Sequence, residues 1–248
     1  MQPIYNKIGS RYARTRQTDP RIANQIHREL AGAKRIINIG AGTGSYEPEH
    51  ADLVALEPSD KMIAQRHPES HPVVQGYAES LPFEANSFSH AMTVLSMHHW
   101  HDRPRAFRDI SRITTEKFVA LTWDPGADTF WLTRDYFPGF HTMDLEIFPS
   151  LDELSAYFED VSMRPVLIPE DCQDGFLAAF WKRPEAYLDP AVQRAISTFS
   201  KTENLREPLK RLEQDLASGK WHEINSELHD MATLDAGYRL VTARIKNP

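Results

Sequence analysis

Short apolar runs of four or five residues alternate with segments whose apolar residues recur every three or four positions. Ile36-Ile37-Asn38-Ile39 and Leu53-Val54-Ala55-Leu56 carry no charge, the look of a strand buried on both faces. On this basis strands are expected over Arg35–Ile39, Leu53–Glu57, Val73–Gly76, Ala91–Leu95 and Phe118–Thr122. Between them, helices are expected from Asp19-Pro20 through Leu30 and from Asp60 to Arg66, with Asp19 and Ser59 as N-caps. Ile22, Ile26 and Leu30 recur every four residues on the first of these helices. Alternation of this kind predicts a parallel α/β sheet.

Beyond residue 125 the pattern is weaker. The aromatic-rich stretch from Phe130 to Phe148 has no clear period. Ser150 followed three residues on by Glu153 resembles a capping box and opens a helix. Val161–Ile168 is expected as a sixth strand and Ala236–Ile245 as the last one. Helices over Phe176–Trp181, Pro190–Phe199, Leu205–Ser218 and Ile224–Met231 lie between these strands. An insertion of that length in a compact domain needs a function, and a cap over a pocket would supply one. The chain is therefore read as one domain over 1–248. It divides into an N-terminal arm and helix (1–34), a core (35–125), an aromatic insertion (126–150), a helix and strand (151–170), a helical cap (171–232) and a final strand (233–248).

Chemistry concentrates at the end of the first strand. Gly40, Gly42 and Gly44 stand at alternate positions after it, and Glu57 ends the second strand. Glycines let the backbone reach positive φ and let a ligand lie against the main chain. In a parallel sheet the strand tips face the crevice where ligands bind. An acid there can accept both hydroxyls of a ribose, so the pair describes a nucleoside site. The dinucleotide fingerprint needs a glycine where Ser45 stands, which argues against NAD.

The G-x-G-x-G turn resembles the first motif of the class I S-adenosylmethionine (SAM) dependent methyltransferases. Ala78-Glu79-Ser80-Leu81-Pro82-Phe83, Ser87-Phe88 and His98-His99-Trp100 follow in order. They resemble the series found in small-molecule methyltransferases related to the ubiquinone and menaquinone enzymes. The likeness spans about residues 36–125. It implies a Rossmann-like sheet of seven strands, mostly parallel with the last antiparallel, and SAM as cofactor. It also implies that Gly40, Ala41, Gly42 and Gly44 line the methionine and ribose and that Glu57 takes the ribose hydroxyls. Pro58, Met62, Ala78 and Glu79 would meet the adenine, and Leu95 and Ser96 the methionine part. Arg11 and Tyr12 would close over the cofactor. Asn38 and Ser89 depart from the family pattern, each standing where an acid is usual.

Methyl transfer needs a base only when the acceptor is not already nucleophilic. His98, His99 and His101, beside the crevice, are the candidates. The layout, with a helical insertion before the last strand, is similar to the trans-aconitate methyltransferases. Carboxylate O-methylation is thus an option beside phenol O-methylation or ring C-methylation of a small-molecule acceptor. A methyltransferase acting on RNA or protein is the alternative, and a SAM-binding protein without methyl transfer is another.

Charge and cysteine content weigh on these choices. A net charge of −7 argues against a nucleic-acid partner, because Arg11, Arg14 and Arg16 are the only basic concentration. A single cysteine, Cys172, excludes an internal disulfide and a Cys-rich zinc site, and no metal is expected. No apolar stretch is long enough to span a membrane, and residues 1–7 lack the apolar core of a signal peptide, so a cytoplasmic location is expected. The pattern specifies no oligomeric state.

Overall fold

The computed structural model describes residues 16–127 and 130–246. Seven strands form one sheet: β1 (Ile36–Ile39), β2 (Leu53–Glu57), β3 (Val73–Gln75), β4 (Phe88–Val94), β5 (Thr114–Trp123), β6 (Phe158–Pro165) and β9 (Tyr238–Ile245). Their order across the sheet is β3-β2-β1-β4-β5-β9-β6. The pairings among β1 to β5 are parallel, and β9 runs antiparallel between β5 and β6. This is the expected α/β sheet, with the last strand reversed. The strand order reverses between β1 and β4, so the crevice expected of such sheets opens at their C-terminal tips.

Both faces of the sheet are covered, as the uncharged strands require. On one face Ile36, Leu53, Ala55, Met92, Val119 and Leu121 pack with Ile22, Ile26 and Leu30 at α1 (Pro20–Glu29) and its C-cap. On the other, Ile37, Ile39, Val54, Leu56, Ala91 and Phe118 pack with Ala106, Phe107 and Ile110 of α3 (Arg103–Ile113). Neighbouring residues of one strand thus join opposite clusters, the period-two geometry of a strand.

Local capping follows the sequence closely. Asp19 accepts from Arg21 N at 3.0 Å. Ser59 Oγ accepts from Met62 N at 3.3 Å and starts α2 (Asp60–Ile63). Ser150 Oγ accepts from Glu153 N at 3.1 Å and starts α5 (Leu151–Tyr157). Ser89 does the work of the missing acid at the entrance of β4. Its hydroxyl accepts from Lys34 N at 2.9 Å and Arg35 N at 3.2 Å, and donates to Arg35 O at 3.0 Å.

The second half differs from expectation in several places. The stretch read as aperiodic is helical, with a π-turn over Leu132–Tyr136 and α4 over Pro138–Ile147. The sixth strand starts at Phe158 and ends at Pro165, and Ile168–Pro169 forms a separate short strand, β7. β7 pairs antiparallel with β8 (Thr233–Leu234), tying the two ends of the cap together. The helix expected over Pro190–Phe199 is two, α6 (Pro190–Ala195) and α7 (Ser197–Lys201), with Ile196 in extended backbone between them. After α8 (Arg206–Ala217) the chain makes α9 (Lys220–Ile224), where none was expected.

Aromatic residues hold the cap. Trp131 packs edge-on against Tyr136, Tyr187 and Trp221. Its indole donates to Trp181 O at 2.9 Å, and the Trp181 indole donates to Ile168 O at 3.0 Å. Phe176, Trp181 and Tyr187 are all buried, as cap core. No described helix is long and apolar enough to cross a membrane.

Candidate active site

The glycine turn leaves β1 at the crevice. Gly40, Gly42 and Gly44 have φ of 70°, 55° and 94°, a region that side chains rarely enter. Crowding adds to the requirement at Gly40, where a Cβ would lie 1.8 Å from Ser96 Oγ and 2.7 Å from Ser96 Cβ. Gly40 thus lets the tips of β1 and β4 close on each other. Behind Gly42, Met62 is buried and lies 3.3 Å from where a Cβ would stand.

Glu57 completes the turn. Its Oε2 accepts from Gly42 N at 2.8 Å and its Oε1 from Ser59 N at 2.9 Å. Burial pushes this carboxyl above the usual range, and the two backbone donors hold it back. One lone pair on each oxygen remains for a further donor, so the residue fits a ribose diol.

A cleft opens beside the turn, lined by Arg16, Asn38, Gly40, Ala41, Gly42, Thr43, Ser45, Tyr46 and Val94. Asn38 Nδ2 donates to Glu47 Oε1 at 3.0 Å, while its Oδ1 is buried without a partner. An orphaned acceptor, a backbone cradle with no room for side chains and a carboxylate at the β2 tip together fit SAM, whose ammonium and hydroxyls need acceptors.

A second cleft meets the first at the end of β4. Val94 lines one and Leu95 the other, and Arg16 lines both. Trp123, Phe148, Phe176, Leu177, Ile196 and Tyr238 give it apolar walls, and His98, Asp144, Ser197 and Thr198 join Arg16 as polar members. Asp144, on α4, is 3% exposed, and its carboxyl has no hydrogen-bond partner among the described residues. Burial pushes it up to about 7, and Lys201 offsets only part of this. His98 stacks on Phe148 with ring centroids 4.5 Å apart, and its Nδ1 is buried without a partner. Burial, with His99 beside it, holds His98 well below the ordinary histidine range, so the ring is neutral at pH 7.

Arg16 joins the clefts to the cap. Its Nε donates to Asp174 Oδ1 at 2.7 Å, and the Tyr46 hydroxyl donates to Asp174 Oδ2 at 2.8 Å. Asp174 belongs to the cap and Tyr46 to the glycine turn, so one buried carboxylate couples them.

The structure separates the expected site residues. Gly40, Ala41 and Gly42 line the first cleft, with Glu57 bonded to the turn. Gly44 lies against the Arg66–Glu47 pair, and Leu95 lines the second cleft. Ser96 is buried, with Oγ accepting from the Trp100 indole at 3.1 Å. Pro58 follows Glu57 and is half-buried, its carbonyl accepting from Gln75 Nε2 at 3.4 Å. Ala78 is buried in the apolar cluster, and Glu79 Oε1 accepts from His101 N at 2.7 Å. Among the histidines only His98 lines the cleft; burial pushes His99 down to about 3, and His101 is exposed. Arg11 and Tyr12 lie outside the described residues. Arg16, Glu47, Asp144 and Asp174 were not singled out for these positions by local pattern; the partners of Arg16, Glu47 and Asp174 are distant in sequence. Among the described residues, no group of three His, Cys, Asp or Glu could hold a metal ion.

Comparison with known proteins bears on the family of the chain. A family model described as a methyltransferase domain matches residues 37–117. The rice chloroplast protein 2-methyl-6-phytyl-1,4-hydroquinone methyltransferase 2 is 25% identical over 142 residues, 53% of this chain and 39% of its own length. The chain thus spans about two fifths of the length of that curated relative. A possible histamine N-methyltransferase from Thermotoga maritima is 15% identical with a TM-score of 0.53 over 98% of this chain and 93% of its own, a likeness of fold alone. A candidate methyltransferase from an antibiotic biosynthesis pathway of Anabaena variabilis is 33% identical, with a TM-score of 0.82 over 92% of this chain and 98% of its own. Likeness of that extent, over nearly the whole of both chains, means that this protein belongs to the class I SAM-dependent methyltransferases, and SAM is its cofactor.

Proposed function

We propose that this protein methylates a small molecule with an apolar, ring-sized body and an ionisable hydroxyl. The observation that carries the reading is the junction at β4, where Val94 faces the glycine-turn cleft and Leu95 the aromatic-walled one. SAM supplies an electrophilic methyl on a sulfonium. The chain's residues then have three tasks. Gly40, Gly42, Asn38 and Glu57 hold the cofactor; Trp123, Phe148, Phe176 and Tyr238 bind the acceptor's apolar body and exclude water. Asp144 takes the acceptor's proton.

Asp144 suits that role better than the histidines. A carboxyl near 7 is partly ionised at neutral pH and binds a proton well enough to draw one from a hydroxyl. His98, held well below the histidine range, is a weaker base. Its stacking on Phe148 suits it to orient a ring. The rice relative is named for a hydroquinone, and ionisation of a phenol activates both its oxygen and its neighbouring ring carbons.

The test is transfer of a labelled methyl from SAM to a fractionated metabolite pool supplemented with hydroquinones and simple phenols. Label is expected in the organic-extractable, low-mass fraction. Label in RNA or protein, or none in any fraction by a protein that binds SAM, would overturn the reading.

A further inference from the structure

Position 38, two residues ahead of the first glycine, carries an amide, and the nearest negative charge sits nine residues on. Glu47 and Arg66 form an ion pair at 2.8 Å, with side chains only 5% and 4% exposed. A carboxylate in such a pair accepts hydrogen bonds and donates none. Asn38 must therefore turn its NH2 toward Glu47 Oε1, at 3.0 Å. Its Oδ1 is left facing away, buried, without a partner, on a residue that lines the glycine-turn cleft. A buried amide oxygen without a donor costs free energy unless a ligand supplies one.

We propose that Glu47 is a positioning residue that aims the Asn38 oxygen at the ammonium of the cofactor's amino-acid end. The inference rests on the cofactor assignment above and deepens it. Arg66 has a share in the device. Its Nη2 holds Glu47 Oε2 at 2.8 Å and its Nη1 reaches Gly42 O at 3.4 Å, so the same network steadies the glycine turn. The charge absent from position 38 is moved one side chain back and acts through the amide.

S-Adenosylhomocysteine and 5′-methylthioadenosine separate the possibilities, because both are neutral thioethers of adenosine and only the first carries the amino-acid end. Calorimetric titration of Asn38→Ala should weaken S-adenosylhomocysteine binding about tenfold, the scale of one hydrogen bond to a charged group, and leave methylthioadenosine within about twofold. Glu47→Gln should act in the same direction, since it frees the amide to turn. The exchange variant N38D/E47Q keeps every bond: the amide NH2 placed at position 47 donates to the carboxylate placed at position 38, and the amide oxygen accepts from Arg66. It should bind S-adenosylhomocysteine at least as tightly as the native protein, and a melting curve shows that it folds. Equal losses for the two ligands, no loss in N38A, or an exchange variant that folds but binds S-adenosylhomocysteine about tenfold less would overturn the role given to Glu47. A native protein that binds neither ligand would instead overturn the cofactor site on which it rests.

Discussion

Replacing Asp144 by Asn should make the protein relatively more stable as the pH rises. The native carboxyl is 3% exposed, is unpartnered among the described residues and is pushed by burial from 3.8 to about 7. Folded protein therefore keeps this proton up to about pH 7, whereas the unfolded chain releases it near 3.8. Between those values the native state binds more protons, so the group's contribution to stability is full below about 3.8 and is lost by the time the pH passes 7. The whole span is worth about 4 kcal/mol at about 1.36 kcal/mol per pH unit. The part between about pH 5 and pH 8 is about 2.5 kcal/mol.

Asparagine has no proton to lose, so the pH-dependent part disappears in Asp144→Asn. Its amide has its own buried groups to satisfy, an offset that is the same at every pH. Lys201, whose ammonium burial disfavours and Asp144 favours, trims the effect from the other side. Urea denaturation of both proteins from about pH 5 to pH 8 should therefore give two stability curves that diverge by about 2.5 kcal/mol in favour of the variant. Parallel curves would mean that Asp144 titrates alike in both states and is not held in the cleft as described. A carboxylate that costs stability at neutral pH, with proton removal as its proposed use, is the usual conflict between a site and its fold.

Three further substitutions test the site. Gly40→Ala should abolish cofactor binding and lower stability by about 2 kcal/mol or more, since its Cβ would meet Ser96 at 1.8 Å in left-handed backbone; a variant that binds S-adenosylhomocysteine normally by calorimetry would contradict the closeness of the strand tips. Glu57→Gln leaves one acceptor for the two backbone donors of Gly42 and Ser59, so chemical denaturation should report a loss of about 1–3 kcal/mol, with weaker cofactor binding. Asp174→Ala removes the acceptor of both Arg16 Nε and the Tyr46 hydroxyl, and should cost about 3 kcal/mol while raising proteolysis of the cap.

The half of the chain that could be read in advance is the half in which neighbours in sequence supply the signal. β1 and the body of β2 are uncharged because both faces are covered, and the caps of α1, α2 and α5 lie within three residues of the backbone groups they bind. α4 escaped because its apolar residues do not keep to one stripe. Phe140 is buried, Leu145 is 55% exposed and the buried polar residue is Asp144. An acid in such a segment looks solvated until α7 and the cap close over it. The Arg16–Asp174 pair spans 158 positions and so leaves no local trace. Glu47 followed the glycine turn in plain sight, but its use depends on Arg66, which lies in the turn after α2. The histidines were the reverse case, a local cluster of which the loop 97–101 brings His98 to the second cleft, leaves His99 half-buried and exposes His101.

The buried charges also account for how cap and cofactor cleft depend on each other. Glu47 is paired with Arg66, Asp174 with Arg16, and Glu57 with two backbone N–H groups; Asp144 lacks a close partner among the described residues. A paired charge in an interior is costly to break, because the survivor is left desolvated. Asp174 reaches from the cap to Tyr46 of the glycine turn, and Arg16 lines both clefts. Displacing the cap would break the bonds of Asp174 to Arg16 and to the Tyr46 hydroxyl together, which ties the seating of the cap to the glycine turn. Asp144 is the exception for a chemical reason: a carboxylate locked in an ion pair has too low a pKa to accept the acceptor's proton. Leaving it unpaired suits Asp144 to the role of base proposed for the second cleft.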